Sequence, residues 1–135
     1  MGAWGVFEFE NDDACDWADE LEESQDLSPV ESAFAEVESA TDYLEAPDAA
    51  VALAACEVLA RLKGKPGHTD PHSEPIDNWV RSNPQPVDAE LIARACSVID
   101  RILGPDSELS GLWSDSDSAD QWLEAVKDLR RRLTA

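Results

Sequence analysis

Residues 48–65 of the chain read DAAVALAACEVLARLKGK, and nearly every position from Ala49 to Ala60 in this stretch is apolar. A helix that is apolar on all sides is buried inside a protein, and a run of alanines lets other helices approach closely. Pro47 suits the first turn of such a helix, and Gly64 suits its end. The stretch therefore predicts a central, mostly enclosed helix.

Two amphipathic helices are predicted before this central one. The first is expected over residues 12–24, and Asn11 or Asp12 is placed to cap it. The second is expected to begin with Ser28 as its cap and Pro29 in its first helical position. In the first helix the apolar residues recur at the spacing of one helical face: Ala14, Trp17, Ala18 and Leu21.

The carboxyl-terminal half of the chain predicts two further long helices. One is expected over residues 88–103, and the last follows the serine- and aspartate-rich residues 114–120. A short helical piece is expected around Leu109–Trp113. Residues 64–87 are broken repeatedly by proline and glycine, so they are expected to be irregular, apart from a single turn around Ile76–Val80.

These elements predict an all-α fold. We expect residues 1–135 to form a single-domain bundle of four main helices, with short helical pieces and a folded-back N-terminal segment. The chain is long enough to enclose one core, and its apolar fraction of 43% is in the range of globular proteins. Neither an 18-residue apolar run nor a signal peptide is visible, so no membrane contact and a cytoplasmic location are expected.

The charge of the chain is strongly asymmetric. Residues 1–60 carry 17 of the 30 acids and none of the ten Lys and Arg residues, whereas residues 61–135 carry 13 acids and all ten bases. Such a field repels nucleic-acid phosphates and attracts basic protein surfaces. We therefore expect no nucleic-acid binding and, as one interpretation, a basic protein partner. The other interpretation is a surface that only confers solubility or salt adaptation.

The amino-terminal carboxylates are the first candidate site. Clustered carboxylates can bind magnesium or calcium or divide acid and base roles. The residues of this cluster are Asn11, Asp12, Asp13 and Asp16, with Glu8 and Glu10. The same residue types also favour the start of a helix, where negative charge is stabilising. Capping or solvation, contact with a partner, and metal binding or catalysis are the three interpretations of this cluster.

A weaker metal candidate is the sequence HTDPH, residues 68–72. His68 and His72 are the only histidines of the chain, and Asp70 lies between them. Imidazole and carboxylate are suitable ligands for a divalent metal, although Pro71 interrupts any helix that would hold them in place. The alternative interpretation is an exposed loop.

No cofactor is predicted. Cys15, Cys56 and Cys96 are far apart and form no CxxC pair, so a thiolate zinc site is not expected, and we interpret them as reduced, mostly buried thiols. The sequence has no glycine-rich phosphate loop, no GxSxG and no HExxH motif. These observations make an enzyme less favoured than a binding protein.

The opening sequence resembles a bacterial family known as domain of unknown function 4259. Its members begin with Met-Gly-x-Trp-Gly and continue with Phe-x-Asn-Asp-x-Ala-x-Asp-Trp, which this chain matches at Met1, Gly2, Trp4, Gly5, Phe9, Asn11, Asp12, Ala14, Asp16 and Trp17. Residues 43–67 and 107–113, and the pattern around Trp122, resemble the family too. This chain departs from it at Phe7, where a second glycine is usual. The resemblance implies a small, helical, cytoplasmic bacterial protein and no known activity.

The opening motif also indicates where a ligand or partner would bind. We expect Trp4 to pack near Trp17, and the groove beside them to be rimmed by carboxylates. The candidate binding residues are Trp4, Asn11, Asp12, Asp16, Trp17 and Glu20. The leading hypothesis is a non-enzymatic protein-binding module, with an immunity- or antitoxin-like inhibitor as one form. The alternatives are a metal-dependent enzyme, using the amino-terminal carboxylates or His68 and His72, and a structural or housekeeping domain without a specific ligand.

Overall fold

The computed structural model describes residues 11–67, 69 and 71–135, and it has seven helices in those residues. Five have at least eleven residues, against the four main helices predicted, and two are shorter. The all-α prediction is confirmed. The helices are α1 (Asp12–Glu22), α2 (Ser28–Glu38), α3 (Ala46–Leu62), α4 (Glu74–Ser82), α5 (Ala89–Leu103), α6 (Glu108–Ser114) and α7 (Ala119–Thr134). The predicted folded-back N-terminal segment lies outside the described residues.

Helix α3 is the centre of the bundle, as the sequence predicts. It contacts all six other helices, and one cluster of buried apolar side chains includes residues from all seven. Ala52, Ala54 and Ala55 are completely buried. Because these side chains are small, helices can pack closely on several sides of α3.

The end of α3 shows why Gly64 stops it. The Gly64 N–H donates to the carbonyl of Arg61 at 3.0 Å, and the Lys65 N–H donates to the carbonyl of Ala60 at 2.9 Å. These two bonds form a Schellman motif, which requires a residue in the left-handed region at the position of Gly64. The φ of Gly64 is +77°, where a residue without a Cβ pays little strain.

Different kinds of residue accept hydrogen bonds from the first backbone N–H groups of α1 and α2. Asn11 caps α1, because its Oδ1 accepts a hydrogen bond from the Ala14 N–H at 2.8 Å, as predicted. The prediction that Ser28 caps α2 is wrong, because Ser28 is already the first helical residue. The carboxylate of Asp26 instead accepts from the Ser28 N–H at 2.9 Å, and this backbone hydrogen bond lowers the pKa of Asp26.

Substituting alanine for Asn11 tests the cap. We expect the change to lower the free energy of unfolding by about 1 kcal/mol, since the Ala14 N–H loses its acceptor. Thermal unfolding followed by calorimetry measures the effect, with Asn11→Asp as the control, because aspartate caps equally well. An unchanged melting temperature for the alanine variant would contradict the capping role.

Helix α4 corrects the expectation that residues 64–87 are irregular. Glu74–Ser82 form a helix of nine residues, not a single turn. Pro75 does not prevent it, because proline is tolerated in the first turn. Ile76 and Trp79 are buried against the core, and the Trp79 Nε1 donates to the carbonyl of Ser24 at 2.7 Å. The helix is thus stabilised by tertiary contacts that the local sequence does not reveal.

A connection between distant segments fixes the start of α3. The Leu44 N–H donates to the carbonyl of Asp106 at 2.8 Å, and the Glu108 N–H donates to the carbonyl of Leu44 at 2.9 Å. The Glu108 carboxylate also accepts from the Ala46 N–H at 2.7 Å and so caps α3 from another helix. Asp106 has a φ of +60°, an unusual conformation for a residue other than glycine.

Within the residues described, none of the helices combines the length and the hydropathy that a membrane span requires.

Candidate functional site

The outer face of α1 is acidic throughout. Trp17, Ala18 and Leu21 are buried on the inner face, so the amphipathic pattern turns every carboxylate outward. The exposed acids of this helix are Asp12, Asp13, Asp16, Asp19, Glu20 and Glu22.

Helix α2 extends this acidic surface. Its buried face includes Val30, Phe34 and Val37, and its exposed acids are Glu31, Glu36 and Glu38. We call the nine exposed acids of α1 and α2 the acidic surface. Both helices pack on α3, which holds them in fixed positions on the core.

Only one residue of the acidic surface is paired with a base in the part of the chain that the structure describes. The Nε and Nη2 of Arg94 each donate to a carboxylate oxygen of Glu38 at 2.8 Å. The hydrogen bonds from Arg94 lower the pKa of Glu38 and raise the pKa of Arg94. The other eight carboxylates are exposed and have no such partner within residues 11–67, 69 and 71–135.

Several bases of the carboxyl-terminal half pair with acids outside α1 and α2. Arg130 binds both carboxylate oxygens of Asp100 at 3.1 Å, and Arg131 lies 3.7 Å from Asp128. Among the described residues, Arg94 with Glu38 is thus the only ion pair between these bases and the acids of α1 and α2.

A groove of about 380 Å³ lies between α1 and α2. Val51 of α3 lies at the groove, and Glu20 and Glu36 lie on opposite helices beside it. We call it the α1–α2 groove, and the described residues that line it are Trp17, Glu20, Ser28, Pro29, Ser32, Ala33, Glu36 and Val51.

The structure divides the predicted binding residues into two groups. Trp17 and Glu20 line the α1–α2 groove. Asp12 and Asp16 are exposed on the acidic surface but do not line the groove, and Asn11 caps α1. Trp4, and Glu8 and Glu10 of the carboxylate cluster, lie outside the described residues. The sequence analysis missed the residues that α2 and α3 contribute, since only the packing of both helices on α3 brings them beside Trp17.

The weak metal candidate is described only in part. His72 is exposed, whereas His68 and Asp70 lie outside the described residues. Among the residues that are described, no three His, Cys, Asp or Glu side chains are grouped in a way that could hold a metal ion.

A buried ionic cluster lies away from the acidic surface. Glu57 is completely buried on α3, and its Oε1 accepts hydrogen bonds from Arg61 at 3.0 Å, from Arg132 at 3.0 Å and from the Gly67 N–H at 2.9 Å. Its Oε2 receives no well-oriented hydrogen bond from the described residues but lies 2.8 Å from Nη1 of Arg132. The two guanidinium groups thus balance the buried charge of Glu57.

The same cluster joins three helices and a loop. Arg61 also pairs with Asp77 of α4, and Arg132 of α7 binds Asp128 at 2.8 Å. A Cβ on Gly67 would lie 2.6 Å from the Arg132 guanidinium, so only glycine fits there without a shift. The sequence analysis missed this cluster, although the pair Glu57 and Arg61, four residues apart in an apolar helix, was a usable signal.

Comparison with protein-family models gives a match over most of the chain. The family model described as Domain of unknown function (DUF4259) matches residues 2–125. Searches of curated proteins and of solved structures find no match to this chain.

Proposed function

Since this chain belongs to the DUF4259 family, which has no described activity, we propose a function from its surface: it is a non-enzymatic protein-binding module that binds a basic protein. The observation that supports the proposal is the acidic surface: of its nine exposed carboxylates, only that of Glu38 forms an ion pair with a described residue, Arg94. A binding site of this kind needs complementary charge on the partner.

The acidic surface would act first on the rate of association. The clustered carboxylates create a negative field that steers a basic protein toward them and repels the phosphates of nucleic acids. An immunity- or antitoxin-like inhibitor of a basic toxin is one concrete form of such a protein. The chain's three cysteines are thiols, which fits a reducing compartment, so the proposal places this interaction in the cytoplasm.

The distribution of charge favours binding over solubility alone. In the carboxyl-terminal half, Asp77, Asp100 and Asp128 each pair with an arginine. In α1 no acid has a lysine or arginine partner among the described residues, and like charges held close together repel one another. A protein that needed only solubility could distribute the same acids evenly, whereas a binding surface requires them to be concentrated.

Affinity capture with charge variants tests the proposal. The immobilised chain is exposed at low salt to a soluble extract of its source cells, and the retained proteins are identified by mass spectrometry. The test variant combines Asp16→Asn, Asp19→Asn and Glu22→Gln on α1. The control variant combines Asp115→Asn, Asp117→Asn and Glu124→Gln, which are also exposed and change the net charge by the same amount.

We expect a basic protein to be retained by the wild-type chain and the control variant and to be lost from the α1 variant. Equal retention by the two variants would show that only net charge matters and would contradict a specific surface. Failure of all forms to retain any basic protein would contradict the proposed function itself.

A further inference from the structure

We infer that the α1–α2 groove receives an apolar side chain of a basic amphipathic helix belonging to the partner. This inference rests on the proposed function and specifies how the partner binds. The acidic surface accounts for attraction at a distance, whereas the groove supplies an apolar contact that acidic side chains alone do not provide.

The groove offers an apolar floor that the core leaves uncovered. From Ala49 to Arg61 of α3, every residue is buried except Val51. Val51 lies where α1 and α2 separate, and Pro29 beside it is also partly exposed. A partner that covered the exposed apolar surface of Val51 and Pro29 would lower the free energy of the complex, because that surface would leave water.

Small residues keep this floor accessible. Ser28, Ser32 and Ala33 form the α2 side of the groove, where larger side chains would fill the space. A volume of about 380 Å³ is near the lower end of the range of about 300–1,000 Å³ for small-molecule pockets. The space is therefore suited to one large apolar side chain and part of its neighbours.

The charges beside the groove indicate which residues should flank the apolar side chain of the partner. Glu20 of α1 and Glu36 of α2 are both exposed, and they border the groove from opposite helices. An apolar residue flanked by lysine or arginine complements this arrangement. In an amphipathic helix, an apolar stripe has basic residues on both sides, which is the helix-in-groove mode of recognition.

The length of α2 agrees with a short helix as the partner segment. Helix α2 has eleven residues and is therefore about 16 Å long. A partner helix of similar length would lie along it with three turns in contact. A second copy of this chain is disfavoured as the occupant, because each copy carries a net charge of −20.

Two synthetic peptides of about 14 residues, long enough for about four helical turns, provide the test. The first contains lysine, arginine and leucine, with the leucines on one helical face, and the second has the same composition in a scrambled order without an apolar face. We expect the wild-type chain to bind the amphipathic peptide about tenfold more tightly than the scrambled one, a difference of about 1.4 kcal/mol. Isothermal titration at low salt measures both affinities.

A variant that fills the groove without changing charge isolates its role. Ser32→Phe places a ring at the groove, and Ser82→Phe, at an exposed serine outside the groove lining, is the matched control. We expect Ser32→Phe to abolish the preference for the amphipathic peptide and Ser82→Phe to retain it. Amide chemical shifts of Ala33 and Val51 in the wild-type chain, recorded with each peptide, test the contact without any substitution.

The outcomes separate the groove from the acidic surface. If both peptides bind the wild-type chain equally well but bind the α1 charge variant poorly, the groove inference is overturned and the proposed function stands. If the preference persists in Ser32→Phe, or if the shifts of Ala33 and Val51 do not respond to the amphipathic peptide, the groove inference is also overturned. If neither peptide binds, the groove inference is overturned, and the affinity capture alone decides the proposed function.

Discussion

Replacing Glu57 by alanine is expected to lower the free energy of unfolding by about 3–5 kcal/mol. Glu57 is completely buried, and its carboxylate faces the guanidinium groups of Arg61 and Arg132. Its removal leaves two cations in the protein interior with less compensating charge, and it takes the acceptor from the Gly67 N–H. Unfolding by urea, followed by circular dichroism, measures the loss.

An exposed ion pair of the same chemistry provides the control. Glu38 and Arg94 form a bidentate pair, but their side chains keep 44% and 30% of their surface accessible to water. Glu38→Ala is therefore expected to cost about 1 kcal/mol or less. A similar loss in the two variants would contradict the importance that we assign to burial. Stability unchanged by Glu57→Ala would show that the cluster does not hold α7 and the loop before α4 in place.

Replacing Phe34 by alanine is expected to lower the free energy of unfolding by a comparable amount, about 3–5 kcal/mol. Phe34 is completely buried on α2, so truncation leaves a cavity in the core. The ring also lies 5.8 Å below the guanidinium of Arg94, which connects α2 to α5. Because α2 forms one side of the α1–α2 groove, we also expect this variant to bind the amphipathic peptide less tightly.

Tyr43→Ala is the matched control for the loss of an aromatic ring. Tyr43 keeps 55% of its surface exposed, so its removal is expected to change stability by about 0.5 kcal/mol or less. Urea unfolding of the two variants under the same conditions compares them. Equal effects would mean that α2 is not packed against the core as described.

The sequence predicts those parts of the fold that depend on local chemistry. The apolar run from Ala49 to Ala60 predicts the enclosed helix, and the left-handed conformation at Gly64 ends it. Asn11 is identified as a cap because its side chain reaches a backbone N–H three residues away. In each case, the interacting groups are close together in the chain.

Features that depend on distant residues are not predicted. Helix α4 contains Pro75, and its stability derives from contacts such as that of Trp79 with Ser24, 55 residues earlier. The buried cluster joins Glu57 to Arg132 across 75 residues. Hydrophobic periodicity carries no information about either pairing.

The candidate site is predicted from the sequence only in part. The acidic surface follows directly from the amphipathic pattern of α1 and α2, and two of the candidate binding residues, Trp17 and Glu20, line the α1–α2 groove. The groove also needs Val51, which the apolar run places inside the protein but does not place between two other helices. Only the packing of α1 and α2 on α3 reveals its position.

The most direct test of the proposed function is the salt dependence of binding to the captured basic protein. Between 10 and 150 mM ionic strength, the screening length falls from about 30 Å to about 8 Å. Calorimetry of the wild-type chain is expected to show an affinity at least about tenfold weaker at the higher ionic strength, and the α1 charge variant should show a smaller dependence. An affinity that stays constant over this range, or an equal dependence in the α1 variant, would contradict binding through the acidic surface.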